Sequence, residues 1–403
     1  MTSDVASAPG RWPGVTFERL PWVSRYEQGQ ASRNQIRLHR GPYDSSIPAA
    51  ISSLAFNLDA EVASAVDDAA SELARFDEQS GAIVAPFTGL LLRTEAAASS
   101  QIENLTASAR AIAQAELLGT KDGSNAAQIV SNTSAMTAAV NLAGSLSADA
   151  ILAMHHALMQ NHDPQGAGQW RSEPVWIGGS RLGPHDAHFV PPHHSRVVDA
   201  IDDLVAFMQR DDIPVLAQAA IAHAQFETIH PFTDGNGRTG RALIHAMLHG
   251  KGLTRHITVP ISAGLLTEIE GYFRALDSYR EGDRDSMVMR LVDATFMGIA
   301  NGKQLVAELD AIQKAWNGRI RARKGSHSWR IAELLFEHPV VDVPLIATKL
   351  GLSASNTYAP LQPLIDAGVV VESGSRLRGR TWRSDEVLRA LDSFARRARR
   401  RRH

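Results

Sequence analysis

The chain has no cysteine, and no apolar run in it is long enough to span a membrane. The first absence excludes disulfides, cysteine nucleophiles and thiolate zinc sites. The second excludes a transmembrane helix, which needs about 18 consecutive apolar residues. The first residues also lack the basic flank and the apolar stretch of a secretory signal. We therefore expect a cytoplasmic protein without a membrane partner.

Neither sign of charge dominates, but the charge is unevenly distributed. The 403 residues include 41 Lys and Arg against 43 Asp and Glu, a net charge of −2. From residue 326 onward, 13 basic residues stand against 8 acidic ones, so this part carries +5. Its last basic residues are Arg396, Arg397 and the four arginines at 399–402. Such a segment can contact nucleic acid or another polyanion, or it can lie solvated at the surface.

Apolar residues recur at helical spacing along most of the chain. The spacing predicts helices over residues 59–76, 94–118, 126–143, 147–159, 195–209, 215–228, 238–249, 265–279 and 284–316. Residues 171–190 break this pattern with two short apolar segments around Gly-Gly and Gly-Pro turns, which indicates a β-hairpin. The expected fold class is mainly α with an inserted hairpin.

A basic segment at residues 319–326 is interpreted as a linker to a small second domain. Beyond it, the pattern predicts three helices and two strands joined by a turn, the order of a winged helix-turn-helix. Pro360 and Pro363 fall in the third helix, where each removes a backbone donor. That helix offers no Arg or Lys to base edges. The turn between the strands carries Arg376, Arg378 and Arg380. Binding of DNA and binding of a protein both stay open.

Residues 230–241, which read HPFTDGNGRTGR, combine groups suited to chemistry at a hydroxyl and a phosphate. His230 titrates near neutrality and can accept a proton from a hydroxyl group. Asp234 lies beside the glycines, where a carboxylate near phosphates normally holds Mg²⁺. Phe232 lies between them and is expected to anchor the loop in the core.

The following residues predict an anion site at the start of a helix. Gly235, Asn236 and Gly237 let the backbone bend and approach a ligand closely. The amide groups at a helix N-terminus bind anions. Arg238 and Arg241 lie three residues apart on the first turn, so both guanidinium groups can reach one anion.

The segment resembles the Fic family signature, His-x-Phe-x-(Asp/Glu)-Gly-Asn-Gly-Arg-x-x-Arg, at every specified position. The resemblance implies a helical core that transfers a nucleoside monophosphate, usually AMP from ATP, to a Ser, Thr or Tyr hydroxyl of a protein. It implies that His230 is the general base and that Asp234 holds Mg²⁺. Arg238 would bind the inner phosphates and Arg241 the γ-phosphate. The implied nucleotide-binding residues are Gly235, Asn236, Gly237, Arg238, Thr239, Gly240, Arg241 and, further along the chain, Tyr272.

The predicted hairpin is similar to the flap that, in this family, holds a target segment by strand addition. The alternative is a surface hairpin whose apolar residues face the core. The residues assigned to the flap are Trp176, Ile177, Gly178, His188, Phe189 and Val190.

Residues 99–104, which read SSQIEN, resemble the family's inhibitory motif, (Ser/Thr)-x-x-x-Glu-(Gly/Asn). The resemblance implies that Glu103 pairs with Arg241 and takes the place of the γ-phosphate. Ser99 lies four residues before Glu103 on the expected helix and could hydrogen-bond to it. Asn104 completes the motif. The alternative is an amphipathic helix with an ordinary surface glutamate.

These predictions divide the chain into five expected regions. They are an irregular lead-in (1–42), an N-terminal helical segment with the inhibitory helix (43–125), a Fic core (126–318), a winged helix-turn-helix (326–390) and an Arg-rich tail (391–403). The expected function is a self-inhibited protein adenylyltransferase with ATP as substrate and Mg²⁺ as cofactor, acting on another protein or on itself. The alternatives are a nucleotide-sensing DNA-binding regulator, and a Fic enzyme that uses another nucleotide or removes AMP. Dimers are common in the family, so a homodimer is possible by analogy, and the sequence leaves the oligomeric state open.

Overall fold

The computed structural model describes residues 12–23, 32, 37–83, 87–119, 123–373 and 379–399. Its helices are α1 (Ala60–Ile83), α2 (Thr88–Ile102), α3 (Ala109–Leu118), α4 (Asn125–Leu142), α5 (Ala148–Met159), α6 (Val197–Met208), α7 (Val215–Ile229), α8 (Asn236–Gly250), α9 (Ile261–Leu266), α10 (Ile269–Arg280), α11 (Arg284–Arg319), α12 (His327–Glu337), α13 (Val343–Leu350), α14 (Tyr358–Asp366) and α15 (Asp385–Arg399). Its strands are β1 (Thr16–Leu20), β2 (Tyr43–Ile47), β3 (Val340–Asp342), β4 (Val371–Ser373) and β5 (Thr381–Arg383). The mainly helical fold class is confirmed. Within these residues, no helix is both long and apolar enough to cross a membrane.

Helix α5 begins where its sequence predicts, because Ser147 caps it. The Ser147 hydroxyl accepts a hydrogen bond from the Ala150 amide at 3.2 Å. This bond satisfies one of the amide groups that have no acceptor within the first turn.

The single helix expected over residues 94–118 is wrong, because the chain breaks after Ile102. Glu103 is the C-cap of α2, and Asn104 adopts a left-handed backbone with φ 60°. Asn tolerates this conformation better than most residues, so it can end a helix. Ser108 then caps α3 by accepting a hydrogen bond from the Ala111 amide. Glu103 therefore lies just beyond a helix and not within one. The helix expected over 265–279 is likewise divided, between α9 and α10.

Part of the expected irregular lead-in is a strand. β1 pairs antiparallel with β2, with Thr16 opposite Ile47. Sequence periodicity missed β1 because it is short and its partner lies far along the chain. The other side of β2 contacts the flap, where the Ser46 amide donates to the Val190 carbonyl at 3.0 Å.

The expected hairpin is reduced to one antiparallel bridge, between Ile177 and Phe189. Gly178 and Gly179 both have positive φ, 74° and 69°, and turn the chain directly after Ile177. The ladder cannot continue beyond the bridge, because this turn follows at one end and two prolines, at 191 and 192, lie at the other.

The described residues group into two compact units, and the first comprises segments up to Asp68, Ala138–Lys251 and Glu270–Val292. Helix α7 lies at its centre and packs on α6 and α8. Every residue from Leu216 to Ile229 is buried. Gly240 of α8 approaches α7 so closely that a Cβ there would lie 2.9 Å from Phe226 and 3.0 Å from His223.

The second unit comprises Ala69–Thr137, Gly252–Ile269 and Asp293–His403, in which residues 400–403 lie outside the described ranges. Helix α2 packs on α9, and α15 packs on α2, α3 and α9. Three short strands form an antiparallel sheet in the order β3-β5-β4, in which β3 contacts α3 and α13, while α12 packs on α13 and α14. The winged helix-turn-helix assignment of these elements stays a prediction. Arg380 forms an ion pair with Glu372 at 3.4 Å, while Arg376 and Arg378 lie outside the described residues.

The segment expected as a tail from residue 391 continues α15 as far as Arg399. Arg397 donates to Asn301 at 2.7 Å and to Glu308 at 2.8 Å. Asp392 of the same helix accepts a hydrogen bond from the Ala109 amide at 2.9 Å, at the start of α3. The arginines at 400–402 lie outside the described residues.

In the second unit, Asp77 of α1 holds the loop that precedes α9. Its buried carboxylate accepts hydrogen bonds from the amides of Arg255, His256 and Ile257 at 2.9 to 3.0 Å. Three neighbouring amide groups therefore depend on one side chain.

We expect Asp77→Ala to lower the free energy of unfolding by about 3 kcal/mol, because it leaves buried donors without an acceptor. Asp68→Ala, which removes an exposed carboxylate from the same helix, is the control and should change stability little. Urea titration followed by circular dichroism measures both. Equal stability of the two variants would contradict the role assigned to Asp77.

Candidate active site

His230 directly follows α7 and adopts a left-handed backbone conformation with φ 50°. Its amide still donates to the Phe226 carbonyl at 2.8 Å, so it forms the C-cap of the helix. The side chain is 19% exposed, and its Nδ1 lies 3.8 Å from the Glu227 carboxylate. This turn directs the chain away from α7 and into the loop that leads to α8.

Phe232 anchors that loop, as the sequence predicted. Its ring is fully buried and stacks on His155, with 3.6 Å between ring centroids and 6° between ring planes. Trp170 lies on it at 5.0 Å. Asn236 closes the loop from the other end: its side-chain oxygen accepts from the Phe232 amide at 2.9 Å, and its amide nitrogen donates to the Phe232 carbonyl at 2.8 Å.

His155 supports the loop in its neutral form. Burial lowers the pKa of His155 to about 4. Its Nδ1 accepts a hydrogen bond from the Gly168 amide at 3.0 Å, so its Nε2 carries the proton and donates to the Asp234 carbonyl at 3.1 Å. No sequence motif pointed to this residue.

Gly235 starts α8 with φ 77°. A Cβ there would lie 3.0 Å from Leu158 and 3.2 Å from Met159, so both conformation and space require glycine. The amide groups that follow point from a helix N-terminus, where they have no acceptor within the helix. The sequence predicted an anion site at Gly235, Asn236 and Gly237, and this role stays a prediction.

Two arginines of α8 add positive charge to this helix start. Arg238 and Arg241 are both buried, with 4% and 1% exposure. Arg238 lies 3.6 Å from the Asp234 carboxylate. Thr239 and Gly240 are buried as well, and Gly240 faces α7, so packing alone accounts for that glycine.

Asp234 is the most accessible charged group of the loop, with its side chain 60% exposed. Its Oδ1 accepts from the Gly235 amide at 2.6 Å. Within the described part of the chain, no three His, Asp or Glu side chains are grouped so that they could hold a metal ion. A cation here would therefore need ligands from a bound molecule in addition to Asp234.

Tyr272, expected to contact the nucleotide, is buried, and so is Tyr279 on the same helix. Tyr272 is 1% exposed, and its hydroxyl lies 2.9 Å from Nε2 of His223. Tyr279 donates to Gln225 at 2.8 Å. Burial, reinforced by the charge of Arg241, lowers the pKa of His223 to about 3. Stacking of Tyr272 on a base stays a prediction.

Flap residues contact α10 in the first unit. His188 lies 2.9 Å from Asp277, and Asp277 also pairs with Arg280 at 2.9 Å. The Arg280 guanidinium lies over the Phe189 ring, 3.8 Å from its centroid. Trp176 packs edge-on against Trp22 at 5.5 Å. Phe189 is thus buried under an arginine, while His188 stays exposed.

The imidazole of His230 is neutral. Burial lowers the pKa of His230 to about 3, and the positive charges of Arg171 and Arg280 act in the same direction. A neutral imidazole beside a helix N-terminus with two arginines can take a proton from a hydroxyl while the helix start holds an anion.

The sequence did not single out Arg171, His155 or Arg280, because each is a lone residue outside any motif.

The residues of the inhibitory motif lie in the second unit, at the end of α2. Ser99 is buried beside Ser100, whose hydroxyl accepts from Asn132 at 3.0 Å. The regulatory roles of Ser99, Glu103 and Asn104 stay predictions.

Comparison with known proteins gives two family-model matches and several relatives. Residues 145–248 match the Fic/DOC family, and residues 63–141 match the Fic/DOC family N-terminal region. The protein adenylyltransferase fic-1 of Caenorhabditis elegans is 32% identical over 141 residues, which cover 34% of this chain and 25% of that protein. The protein adenylyltransferase Fic of Drosophila erecta is 28% identical over 148 residues, 36% of this chain and 27% of that protein. The chain thus spans about a quarter of the length of these relatives.

A solved structure supports the same fold. The crystal structure of a Fic family protein from Desulfovibrio desulfuricans G20 covers 82% of this chain and 97% of its own, with 22% identity and a TM-score of 0.50. The His230 loop, which carries the signature, lies inside the matched residues 145–248. The family models and the relatives agree that residues 63–141 and 145–248 are similar to the Fic/DOC family, and the solved structure shows the same fold.

Proposed function

We propose that the chain transfers AMP from ATP to a Ser, Thr or Tyr hydroxyl of a protein, either another protein or itself. The observation that carries this proposal is the loop between α7 and α8. It joins a neutral histidine, a proton acceptor, to a helix N-terminus flanked by two buried arginines, an anion site. The names of the curated relatives, which call them protein adenylyltransferases, agree with this reading.

The nucleotide phosphates are bound at the start of α8 in this proposal. The amides of Gly235, Asn236 and Gly237 hold phosphate oxygens, because the glycines allow close approach of the backbone. Arg238 binds the inner phosphates and Arg241 the γ-phosphate. Thr239 and Gly240 belong to the same turn, and Tyr272 lies nearer the base.

Asp234 fits the way in which Mg²⁺ is usually coordinated in phosphate-binding sites. Mg²⁺ is normally held by one or two carboxylates together with substrate phosphates, and Asp234 is an exposed carboxylate beside the phosphate site. Bound there, Mg²⁺ would neutralise phosphate charge. Asp234 would also have to leave Arg238, its present partner at 3.6 Å.

The chemical step follows from these placements. His230 takes the proton of the target hydroxyl as the hydroxyl oxygen forms a bond to the α-phosphorus. The bond from that phosphorus to the bridging oxygen breaks, and pyrophosphate leaves. Positioning and charge stabilisation supply most of the acceleration. The flap, from Trp176 to Val190, holds the target segment by strand addition.

Self-inhibition through Glu103 is part of the proposal. Glu103 competes with the γ-phosphate for Arg241, since a carboxylate and a phosphate both bind a guanidinium group. The position of Glu103 beyond the end of α2 supports this role, because a side chain there is not confined to one face of the helix.

We expect Glu103→Gly to raise transfer about tenfold or more, since tenfold corresponds to about 1.4 kcal/mol of lost competition. Adding His230→Ala should then lower transfer by about 10²–10⁴-fold. ATP labelled at the α-phosphate is incubated with each variant, Mg²⁺ and cell lysate, and protein-bound label is counted. His249→Ala, which removes a half-buried histidine from the far end of α8, is the control.

The outcomes distinguish the proposed base, the proposed self-inhibition and the alternative functions. Full transfer by the His230→Ala variant would refute the general base. Unchanged transfer by folded Glu103→Gly protein would refute self-inhibition. Binding of ATP without transfer by any variant would favour a nucleotide-sensing regulator or another nucleotide. Loss of label from a premodified protein would favour removal of AMP.

The pH dependence tests the state of His230 itself. Its pKa lies below the ordinary 6.5, so the neutral form persists as the pH falls through 6.5. We therefore expect kcat/KM of the Glu103→Gly protein, which reports the free enzyme, to show no acidic limb centred near 6.5. Steady-state rates from pH 5 to pH 8, with circular dichroism to confirm folding, measure this. A limb near 6.5 would show that His230 is not desolvated as described.

A further inference from the structure

Arg171 is a buried cation that has no role in the proposed chemical step. It is 4% exposed and lies after Trp170, in the irregular segment before the flap. A buried guanidinium group without a carboxylate partner is costly unless its donors find acceptors. The acceptors that the structure gives to Arg171 are all backbone carbonyls.

Three of these carbonyls belong to consecutive residues, the last residue of α7 and the first two of the α7–α8 loop. The Nε of Arg171 donates to the His230 carbonyl at 2.8 Å, and Nη2 donates to the Ile229 carbonyl at 3.3 Å. The amide of Arg171 donates to the Pro231 carbonyl at 3.0 Å. One residue thus holds the backbone on both sides of His230.

Two more carbonyls belong to the base of the flap. Nη1 donates to the Glu173 carbonyl at 3.1 Å, and Nη2 donates to the Pro192 carbonyl at 2.6 Å. Glu173 precedes the flap and Pro192 follows it. The same guanidinium group therefore links both ends of the flap to the loop that carries His230.

The end of α7 explains why an arginine suits this place. The last carbonyls of a helix have no donor within it, and the helix dipole makes this end negative. The left-handed residue His230 ends the helix, and the carbonyls of Ile229 and His230 accept hydrogen bonds from Arg171. A planar guanidinium group with fixed donors can bind several carbonyls at once, which a lysine ammonium cannot match in geometry.

We propose that Arg171 is the positioning residue that sets the His230 imidazole and the flap in one geometry, so that base and target hydroxyl meet at the α-phosphate. The inference rests on the proposed function. It assigns to Arg171 no contact with substrate. It predicts that the guanidinium geometry, and not only the charge, controls the rate.

The charge of Arg171 provides a second readout. The groups that face His230 are Arg171, Arg280 and the Glu227 carboxylate at 3.8 Å. Loss of the Arg171 charge removes one of the two cations that lower the pKa of His230, so that pKa should rise toward its ordinary value. A merely structural arginine elsewhere would leave it unchanged.

The test compares three variants in the Glu103→Gly protein. Arg171→Lys keeps the charge and loses the planar donors, and Arg171→Gln loses both. Arg210→Gln is the matched control. Arg210 follows the last turn of α6 and also binds backbone carbonyls, those of Ser52 and Leu54. Thermal unfolding identifies any variant that fails to fold.

We expect Arg171→Lys to lower kcat by about 10²-fold, the usual effect of a small misplacement of a catalytic group. KM for the target should rise as well, because the flap loses its anchor. Arg210→Gln should leave both constants unchanged even if it lowers the unfolding temperature. Folded Arg171→Lys protein with unchanged kcat and KM would overturn the inference.

A measurement without turnover separates this inference from the proposed function. Proteins with isotope-labelled histidine are titrated by NMR, and the His230 signal is assigned by its loss in His230→Ala. The inference expects a higher His230 pKa in Arg171→Gln and no change in Arg210→Gln. An unchanged pKa in folded Arg171→Gln protein would overturn it, whether or not the chain transfers AMP. Absent transfer together with the expected pKa shift would refute only the function.

Discussion

The left-handed backbone turn at His230 is the constraint on which the site depends. It ends α7 and directs the chain into a short loop that turns again at Gly235, where φ is 77°. Around this turn, the neighbouring side chains are organised to satisfy backbone groups. Arg171 binds carbonyls before and after it, His155 binds the Asp234 carbonyl, and Asn236 closes the loop on Phe232. The geometry of this loop is thus built largely from bonds to the main chain.

The electrostatics of the site follow from burial. Arg171, Arg238, Arg241 and Arg280 are all buried near the loop, while the histidines among them stay neutral. Arg280 and Arg238 already lie beside the carboxylates of Asp277 and Asp234, and a bound anion would further compensate these desolvated charges. Negative charge from phosphates would also raise the pKa of His230 toward neutrality, where a general base is most effective. In the proposed reaction, binding of the nucleotide and activation of His230 as the base would therefore be coupled through the same charges.

The sequence predicted much of the site because its groups lie within a dozen residues. A helix end, two glycines and the spacing of Arg238 and Arg241 are local signals, and Phe232 was recognised as an anchor from its place among them. Arg171 could not be recognised, since its partners at 229–231 lie far along the chain and are carbonyls that every residue possesses. Strand β1 was missed for a similar reason. The break at Asn104 was missed because alanine-rich periodicity continues across it, and only the left-handed residue reveals the turn.

The second unit joins segments from widely separated parts of the chain. The amide of Ala109, just after the segment that contains Glu103, is bound by Asp392, a residue 283 positions later. Helix α2 packs on α15 in the same unit. During synthesis, the helices on either side of Glu103 therefore emerge long before the helix that packs on them. The His230 loop, whose partners lie between residues 155 and 280, can be complete before its proposed regulator has its full set of contacts. A ribosome-bound chain would in that interval carry a formed loop and an unsupported regulator.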